Sequence, residues 1–486
     1  MKRLFLSEII RVLNLKFKGK DTAINYVGDS ILKMNDNTLV FHLDKAVEFD
    51  FEKFNRLKNC YVVTDQPLLT SMKVSENRIY YVDNVHKAYD KFIEYYRSLF
   101  IIPVIAVTGT VGKTTTKEMI AQILKHKHKV VHTYNSRNAL RFNHDYLMQI
   151  DDETEYGVFE TGITHPGHII TECHFFRPSI GIITKIGIDH LNGCGNLNNY
   201  IRAKAEMLTG LNYMGVLIIN NDDDHIRKID FYRFYGKIIT FGIKRNADFR
   251  AKNIIYSQKG MKLTLIHNNK QYRVFVPGYG EHNVMNALAA LACLTMLGKD
   301  LEESIEYLKS FKHIRSHVEF HKGINGSTII DDTWSSNPTS LESALKVLNA
   351  RGKNKKKIAV IGKINYLGRY EGESHKKIDK MFVKYGVDYL ITVDKATRVI
   401  CDSAIQEGMN KKNVIYLKDK KDVRKVLMDL LDNDSIVLFK ISMLDQSLAN
   451  HTFYNPPKLT VYKELANQTT KVFAQIETVS GLNNIE

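Results

Sequence analysis

The apolar positions of this chain change rhythm twice, and each change marks a new part. Up to residue 98 the pattern is mixed. The opening MKRLFLSEIIRVLNLKFKGK reads as an amphipathic helix, short strand-like runs follow at TLVFHL (38–43) and CYVVTD (60–65), and a helix runs through KAYDKFIEYYRSLF. From 99 onward, solidly apolar runs are spaced by helical segments: VIAVT (104–108), YGVFET (156–161), SIGIIT (179–184), GVLIIN (215–220) and GKIITF (236–241). Runs of this kind are buried on both faces and predict a parallel sheet with helical crossovers. A hairpin-like insert, MKLTLIHNNKQYRVFV, then leads into GEHNVMNALAALACLTMLG, a helical stretch closed by Gly298. A third α/β series follows from 314: STIIDD, KIAVIG, DYLITV, NVIYL and SIVLF. The pattern therefore predicts an α/β protein of three domains. A small mixed N-terminal domain spans 1–98, a central parallel-sheet α/β domain 99–313, and a C-terminal Rossmann-like α/β domain 314–486, with the tail beyond 455 only weakly patterned.

Composition narrows the class. A chain of 486 residues with 44% hydrophobic and 25% charged residues is long enough for two or three cores and reads as a soluble globular protein. It has no apolar run of eighteen or more residues, which argues against a membrane span. Glu8 and Arg11 interrupt any signal-type apolar core at the N-terminus, so a cytoplasmic location is expected, and a monomer with it. The five cysteines are scattered and form no C-x-x-C pair, which argues against a disulfide framework or structural zinc. The net charge of +16 suits an anionic small substrate, whereas no recognition motif points to nucleic acid. In KHKHK (125–129), His126 and His128 could ligate a metal, but the cationic end of a helix is the simpler reading.

Candidate chemistry begins at VTGTVGKTTT, directly after the VIAVT run. The stretch lacks the first glycine of G-x-x-x-x-G-K-[ST], since position 107 is Val107. Its context is nevertheless that of a phosphate cradle: a buried strand, a glycine-containing turn, and then TTKEMIAQILK with apolar residues at helical spacing. Backbone N–H groups and the helix dipole favour an anion at such a junction. Gly109 and Gly112 allow the backbone of Gly109, Thr110, Val111, Gly112, Lys113, Thr114 and Thr115 to close around phosphate oxygens. Lys113 supplies a point charge for the β and γ phosphates, and the Thr114 hydroxyl is placed for Mg²⁺.

Two further segments start at predicted strand ends, where ligands collect in an open parallel sheet. Glu160, in VFETGITHPGHI, is the best candidate Mg²⁺ ligand there, against the alternative of an ordinary strand-end acid. His190 follows the next strand and Lys204 lies in the helix after it. On spacing alone, both are as well explained by structural or solvated roles.

Together, VTGTVGKTTT, FETGITHPGHI, IITKIGIDHLNGCGNLNNYIRAKAEML, GEHNVMNALAA and TIIDDTWSSNPTSLESAL resemble the Mur ligase superfamily in order and spacing, over roughly residues 100–345, with weaker similarity through VIGKINYLG and His375. Within it the chain looks most like the MurF type, which adds D-alanyl-D-alanine to a UDP-muramyl tripeptide. The resemblance implies an ATP-dependent amide-bond ligase of peptidoglycan precursor synthesis that works through an acyl phosphate. It implies ATP and Mg²⁺ as cofactors, a second Mg²⁺ on His190, and a carbamylated Lys204 whose new carboxylate-like oxygens serve the metal site. It also places Asn283 near the adenine, with His282 and Asn286 closing that segment, and puts Asp332 on the ribose hydroxyls. The structural alternative for Asp331 and Asp332 is a strand-end turn.

The chain departs from the family pattern at several points. An arginine usually precedes the strand leading to Asp-Asp; here HIRSHVEFH puts His317 in that register and Arg315 two residues earlier, leaving either as the nucleotide contact. GDSILKM keeps Asp29 and Ser30 without the arginine that normally follows, and a Gly-rich segment that accompanies uridine recognition is missing. The asparagine-rich stretch after the phosphate-loop helix reads YNSRNALRFNHD, KISM (440–443) replaces Lys-Gly-Ser-Arg, and Trp334 replaces a tyrosine before SSN. Two alternatives follow from these changes. One is a diverged ligase using the same chemistry on another carboxylate and amine; the other is a nucleotide-binding partner protein without turnover.

Overall fold

The computed structural model describes residues 1–67, 76–334, 336–364, 378, 380–418 and 422–441. His375, residues 442–443 of KISM and the tail beyond 455 lie outside the described residues. Among the described residues the chain forms two compact units. One comprises Met1–Ile102 and Leu140–Thr154; the other comprises Pro103–Ala139 and the described part of Glu155–Asn455.

In the first unit, β1 (Leu4–Phe5) pairs with β2 (Ala23–Ile24), and a four-stranded parallel sheet follows. Its order is β3 (Tyr26–Gly28), β4 (Thr38–Phe41), β5 (Cys60–Thr64) and β6 (Ile79–Tyr81). The predicted runs at 38–43 and 60–65 are β4 and β5. The helix Val85–Ser98 starts at Asn84, whose side chain accepts from the Lys87 N–H, and it buries Tyr89, Phe92, Ile93 and Tyr96. Leu140–Thr154 joins this unit although the sequence pattern places it in the 99–313 domain. The reason is local. Leu147 and Ile150 are fully buried, the Tyr96 hydroxyl donates to the Ile150 carbonyl at 2.6 Å, and the His144 ring meets the Tyr89 ring edge-on at 5.5 Å. Lys33 adds an ionic tie, with Nζ 2.6 Å from Asp29 and 3.3 Å from Asp145.

The second unit carries two sheets. The nine-stranded sheet contains β7 (Val104–Thr108), β8 (Val130–His132), β9 (Tyr156–Glu160), β10 (Ile180–Ile183), β11 (Val216–Asn220), β12 (Lys237–Gly242), β13 (Phe249–Tyr256), β14 (Gly260–His267) and β15 (Lys270–Pro277). Its order is β15-β14-β13-β12-β11-β10-β7-β9-β8. Strands β7 to β12 are parallel throughout, and they include the five predicted apolar runs at β7, β9, β10, β11 and β12. The predicted insert is the antiparallel pair β14 and β15, joined by an unforeseen β13. The helices Lys113–Leu124 and Glu281–Met296 pack into one core on this sheet. The six-stranded sheet has the order β16 (Glu319–Lys322), β17 (Thr328–Asp331), β21 (Ser435–Lys440), β18 (Lys356–Ile361), β19 (Tyr389–Val393) and β20 (Val414–Leu417). Only β16 runs antiparallel. Among the described residues no helix is long and apolar enough to cross a membrane.

Candidate active site

The turn between β7 and the helix Lys113–Leu124 is built by its two glycines. Gly109 has φ +149° and Gly112 φ +87°, a left-handed conformation that side chains rarely adopt. A Cβ on Gly109 would run into the Thr184 hydroxyl, and one on Gly112 into the Asn286 side-chain oxygen. The turn is clasped from the end of β10. The Thr110 N–H donates to the Lys185 carbonyl at 2.6 Å, the Thr184 hydroxyl donates to the Val111 carbonyl at 2.7 Å, and the Gly187 N–H donates to the Thr110 hydroxyl oxygen at 2.8 Å.

Lys113 is the first residue of the helix, and its Nζ lies 4.0 Å from Oε1 of Glu160 at the end of β9. Glu160 is 1% exposed. Its Oε1 accepts from the Asn138 amide at 2.8 Å and its N–H donates to the Thr133 hydroxyl oxygen at 3.0 Å, while Oε2 has no hydrogen-bond partner among the described residues. A buried carboxylate with one oxygen near a lysine at a glycine cradle and the other without a donor suits a divalent cation held against phosphate oxygens.

His190 follows β10 in a left-handed conformation, φ +47°, with its N–H on Asp189 Oδ1 at 2.9 Å and Nε2 4.0 Å from Asp189 Oδ2. Burial lowers its pKa, against the pull of Asp189. Lys204 is sealed in the interior. It is 1% exposed, with its ammonium donating to the Thr108 hydroxyl at 3.2 Å and lying 5.3 Å from the Tyr200 ring centre. Burial, reinforced by the Lys113 charge, pulls Lys204 down to about 7. A large share of this amine is therefore neutral near pH 7, the form that can add CO₂.

A cavity of about 740 Å³ opens beside the cradle. Thr110 to Thr115, Glu160 and His190 line it, together with Asn283 and Asn286 and with Asp332, Trp334 and Asn337. Asn283 is 1% exposed; its amide donates to the Pro277 carbonyl at 2.6 Å, and its Oδ1 has no partner among the described residues, leaving an acceptor for a base amino group. Asp332 is held by the fully buried Lys440, with Nζ 2.7 Å from Oδ2. Asn337 caps the helix Pro338–Arg351 with Ser340 and donates to Asp189 Oδ2 at 3.3 Å.

Of the predicted residues, Lys113, Thr114, Glu160, His190, Asn283 and Asp332 all border this one cavity. Arg315 stands exposed, whereas His317 lines the cavity and stacks on Trp334 with ring centres 5.5 Å apart. His126 stacks on Tyr307 and His128 faces Glu155 at 2.7 Å, in keeping with a charged helix end. Asn138, Thr184, Asp189 and Lys440 were not singled out as contacts. The signal for the first three is proximity to a strand end, which the sequence shows without showing who faces whom.

Comparison with known proteins accords with this geometry. The Mur ligase middle domain model matches residues 107–294, and the Mur ligase glutamate ligase domain model matches 318–442. The UDP-N-acetylmuramoyl-tripeptide–D-alanyl-D-alanine ligase of Buchnera aphidicola subsp. Baizongia pistaciae is 30% identical, over 66% of this chain and 69% of its own length. Its namesake in Bacillus subtilis is 28% identical over 90% of this chain and 94% of the relative. The crystal structure of MurF from Acinetobacter baumannii shares the fold, with a TM-score of 0.80 at 24% identity, covering 92% of this chain and 98% of that one. The chain belongs to the Mur ligase family, whose members are ATP-dependent enzymes that form amide bonds. Within that family it is MurF-like.

Proposed function

We propose that this protein joins D-alanyl-D-alanine, or a closely similar amine, to the terminal carboxylate of a UDP-muramyl tripeptide during peptidoglycan precursor synthesis. The observation that carries this reading is Lys113 at the glycine cradle, 4.0 Å from a buried Glu160 with one unpartnered oxygen. The MurF-like relatives supply the substrate pair.

A carboxylate resists attack by an amine because its charge repels the nucleophile and oxide is a poor leaving group. The substrate carboxylate oxygen therefore attacks the γ-phosphorus of ATP, the bond to the β-phosphate bridge breaks, and ADP leaves. The amine lone pair then adds to the acyl carbon, the amine gives up a proton, and the tetrahedral adduct expels phosphate. The protein's task is to position these groups and neutralise charge. Lys113 and the amides of residues 110–115 face the transferring phosphoryl group. Thr114 and Glu160 would hold one Mg²⁺, and His190 with carbamylated Lys204 a second. Bound Mg²⁺ supplies neutralisation of the phosphate oxygens. Asn283 takes the adenine edge and Asp332, oriented by Lys440, the ribose hydroxyls. His317, stacked on Trp334, is better placed than Arg315 to contact the nucleotide. We divide these roles between a central domain, 99–313, and a closing C-terminal domain from 314, and take the protein to be a cytoplasmic monomer.

Phosphate release from ATP tests the reading. Release that requires both UDP-muramyl tripeptide and D-Ala-D-Ala is expected. Turnover only with another carboxylate and amine would replace the substrate assignment, and tight ATP binding without turnover on any pair would replace the enzyme assignment. Carbamylation of Lys204 predicts loss of one CO₂ per chain in intact mass spectra on acidification, and an unchanged activity in Lys204→Ala would exclude it.

A further inference from the structure

We infer that Lys117 is a positioning residue for the metal-binding carboxylate, tying the phosphate-loop helix to the loop that aims Glu160. The inference rests on the reading of Glu160 as a cation ligand. Lys117 lies four residues after Lys113 on the same helix and is completely buried. A buried ammonium is costly unless its protons all find acceptors. Those of Lys117 go to the Thr133 carbonyl at 2.5 Å, the Asn135 carbonyl at 2.9 Å and the Glu118 carboxylate. Two of the three acceptors are therefore backbone atoms of the segment leaving β8.

That segment is also what holds Glu160. The Thr133 hydroxyl oxygen accepts from the Glu160 N–H at 3.0 Å, and Asn138, three residues beyond Asn135, donates to Glu160 Oε1 at 2.8 Å. One ammonium thus gathers the turn between these two contacts and anchors it to the helix that carries Lys113 and Thr114. The phosphate cradle and the carboxylate opposite it are set by a shared strut. An apolar side chain of the same length would fill the space at lower desolvation cost, yet would take a donor from the Asn135 carbonyl and Glu118 and leave the Thr133 carbonyl only the His132 ring nitrogen at 3.0 Å. The strut therefore fixes geometry at the expense of burying charge. Partners beyond the ligands themselves are a recognised control on metal affinity.

The test measures Mn²⁺ binding to the full chain by electron paramagnetic resonance, with and without ATP, and ATP binding without metal. Neither readout needs the carboxylate or the amine. In Lys117→Met and in Asn138→Ala, Mn²⁺ affinity in the presence of ATP is expected to fall about 10- to 100-fold. Metal-free ATP affinity should change by less than about threefold, and the double variant should be no weaker than the worse single one. Should Lys117→Met fail to fold, Asn138→Ala decides alone. Unchanged Mn²⁺ affinity in the folded variants overturns the inference while leaving the proposed function intact. An equal loss of metal-free ATP binding overturns it too, since Lys117 would then only support the helix. A parent protein that holds no Mn²⁺ with ATP overturns the reading of Glu160 itself, and the strut falls with it.

Discussion

Two lysines of the site differ in how far water reaches them, and their chemistry follows. Lys113 keeps a face on the cavity, with its side chain 19% exposed, as its proposed contact with phosphate requires. Its replacement by alanine is expected to slow phosphate release by about 10²- to 10³-fold, a loss of about 3–4 kcal/mol of transition-state stabilisation. Lys204 is sealed in, and its pKa falls from 10.5 to about 7. Between those values the unfolded chain carries a proton that the folded one has released. Stability should therefore rise as pH rises from 7 towards 9. Denaturant midpoints at pH 7, 8 and 9 should show this slope in the parent, measured without bicarbonate, and a shallower one in Lys204→Met.

At the scale of elements, the strand, turn and helix that build the glycine cradle are the most sequence-legible part of the molecule. Strands buried on both faces read as unbroken apolar runs, which is why VIAVT and its four companions stand out. VVH at β8 is too short to register beside KHKHK, and β13, FRAKNIIY, mixes exposed and buried positions because it opens the antiparallel edge. The grouping of the cavity lining is less legible. His317, Trp334, Asn283 and Glu160 come from separate segments, and periodicity reports the facing of a residue within its own element only. Lys117 was hidden by the opposite fault: a lysine in a helix reads as solvated until packing shows it on the buried face. The turn itself makes a sharp prediction. Gly112→Ala combines a left-handed φ of +87° with a collision at Asn286, so the phosphate loop must open. Nucleotide affinity measured by isothermal titration should fall at least about tenfold, with thermal stability lowered by about 1–2 kcal/mol.

For the whole molecule, the division into two units carries a prediction about fragments. A chain cut after Ile102 keeps the parallel sheet of the first unit but loses Leu147 and Ile150 from its core, the acceptor of the Tyr96 hydroxyl, and Asp145 beside Lys33. Removing two fully buried large side chains costs about 2–5 kcal/mol each, enough to exhaust the stability of a small domain. Residues 1–102 alone should therefore give a poorly dispersed NMR spectrum. A fusion that appends 140–154 through a flexible linker should recover dispersed signals.

The same excursion sets a timetable during synthesis. The first unit cannot be completed until the ribosome has added the 52 residues from Pro103 to Thr154, which takes roughly 3–10 s at ordinary elongation rates. For that interval Phe41 still packs on Tyr89 and Phe92, but Tyr89 lacks the His144 ring and Tyr96 its acceptor on Ile150. The order of translation thus leaves that part of the helix open to whatever holds nascent chains, and a pause placed anywhere in that window would lengthen the exposure.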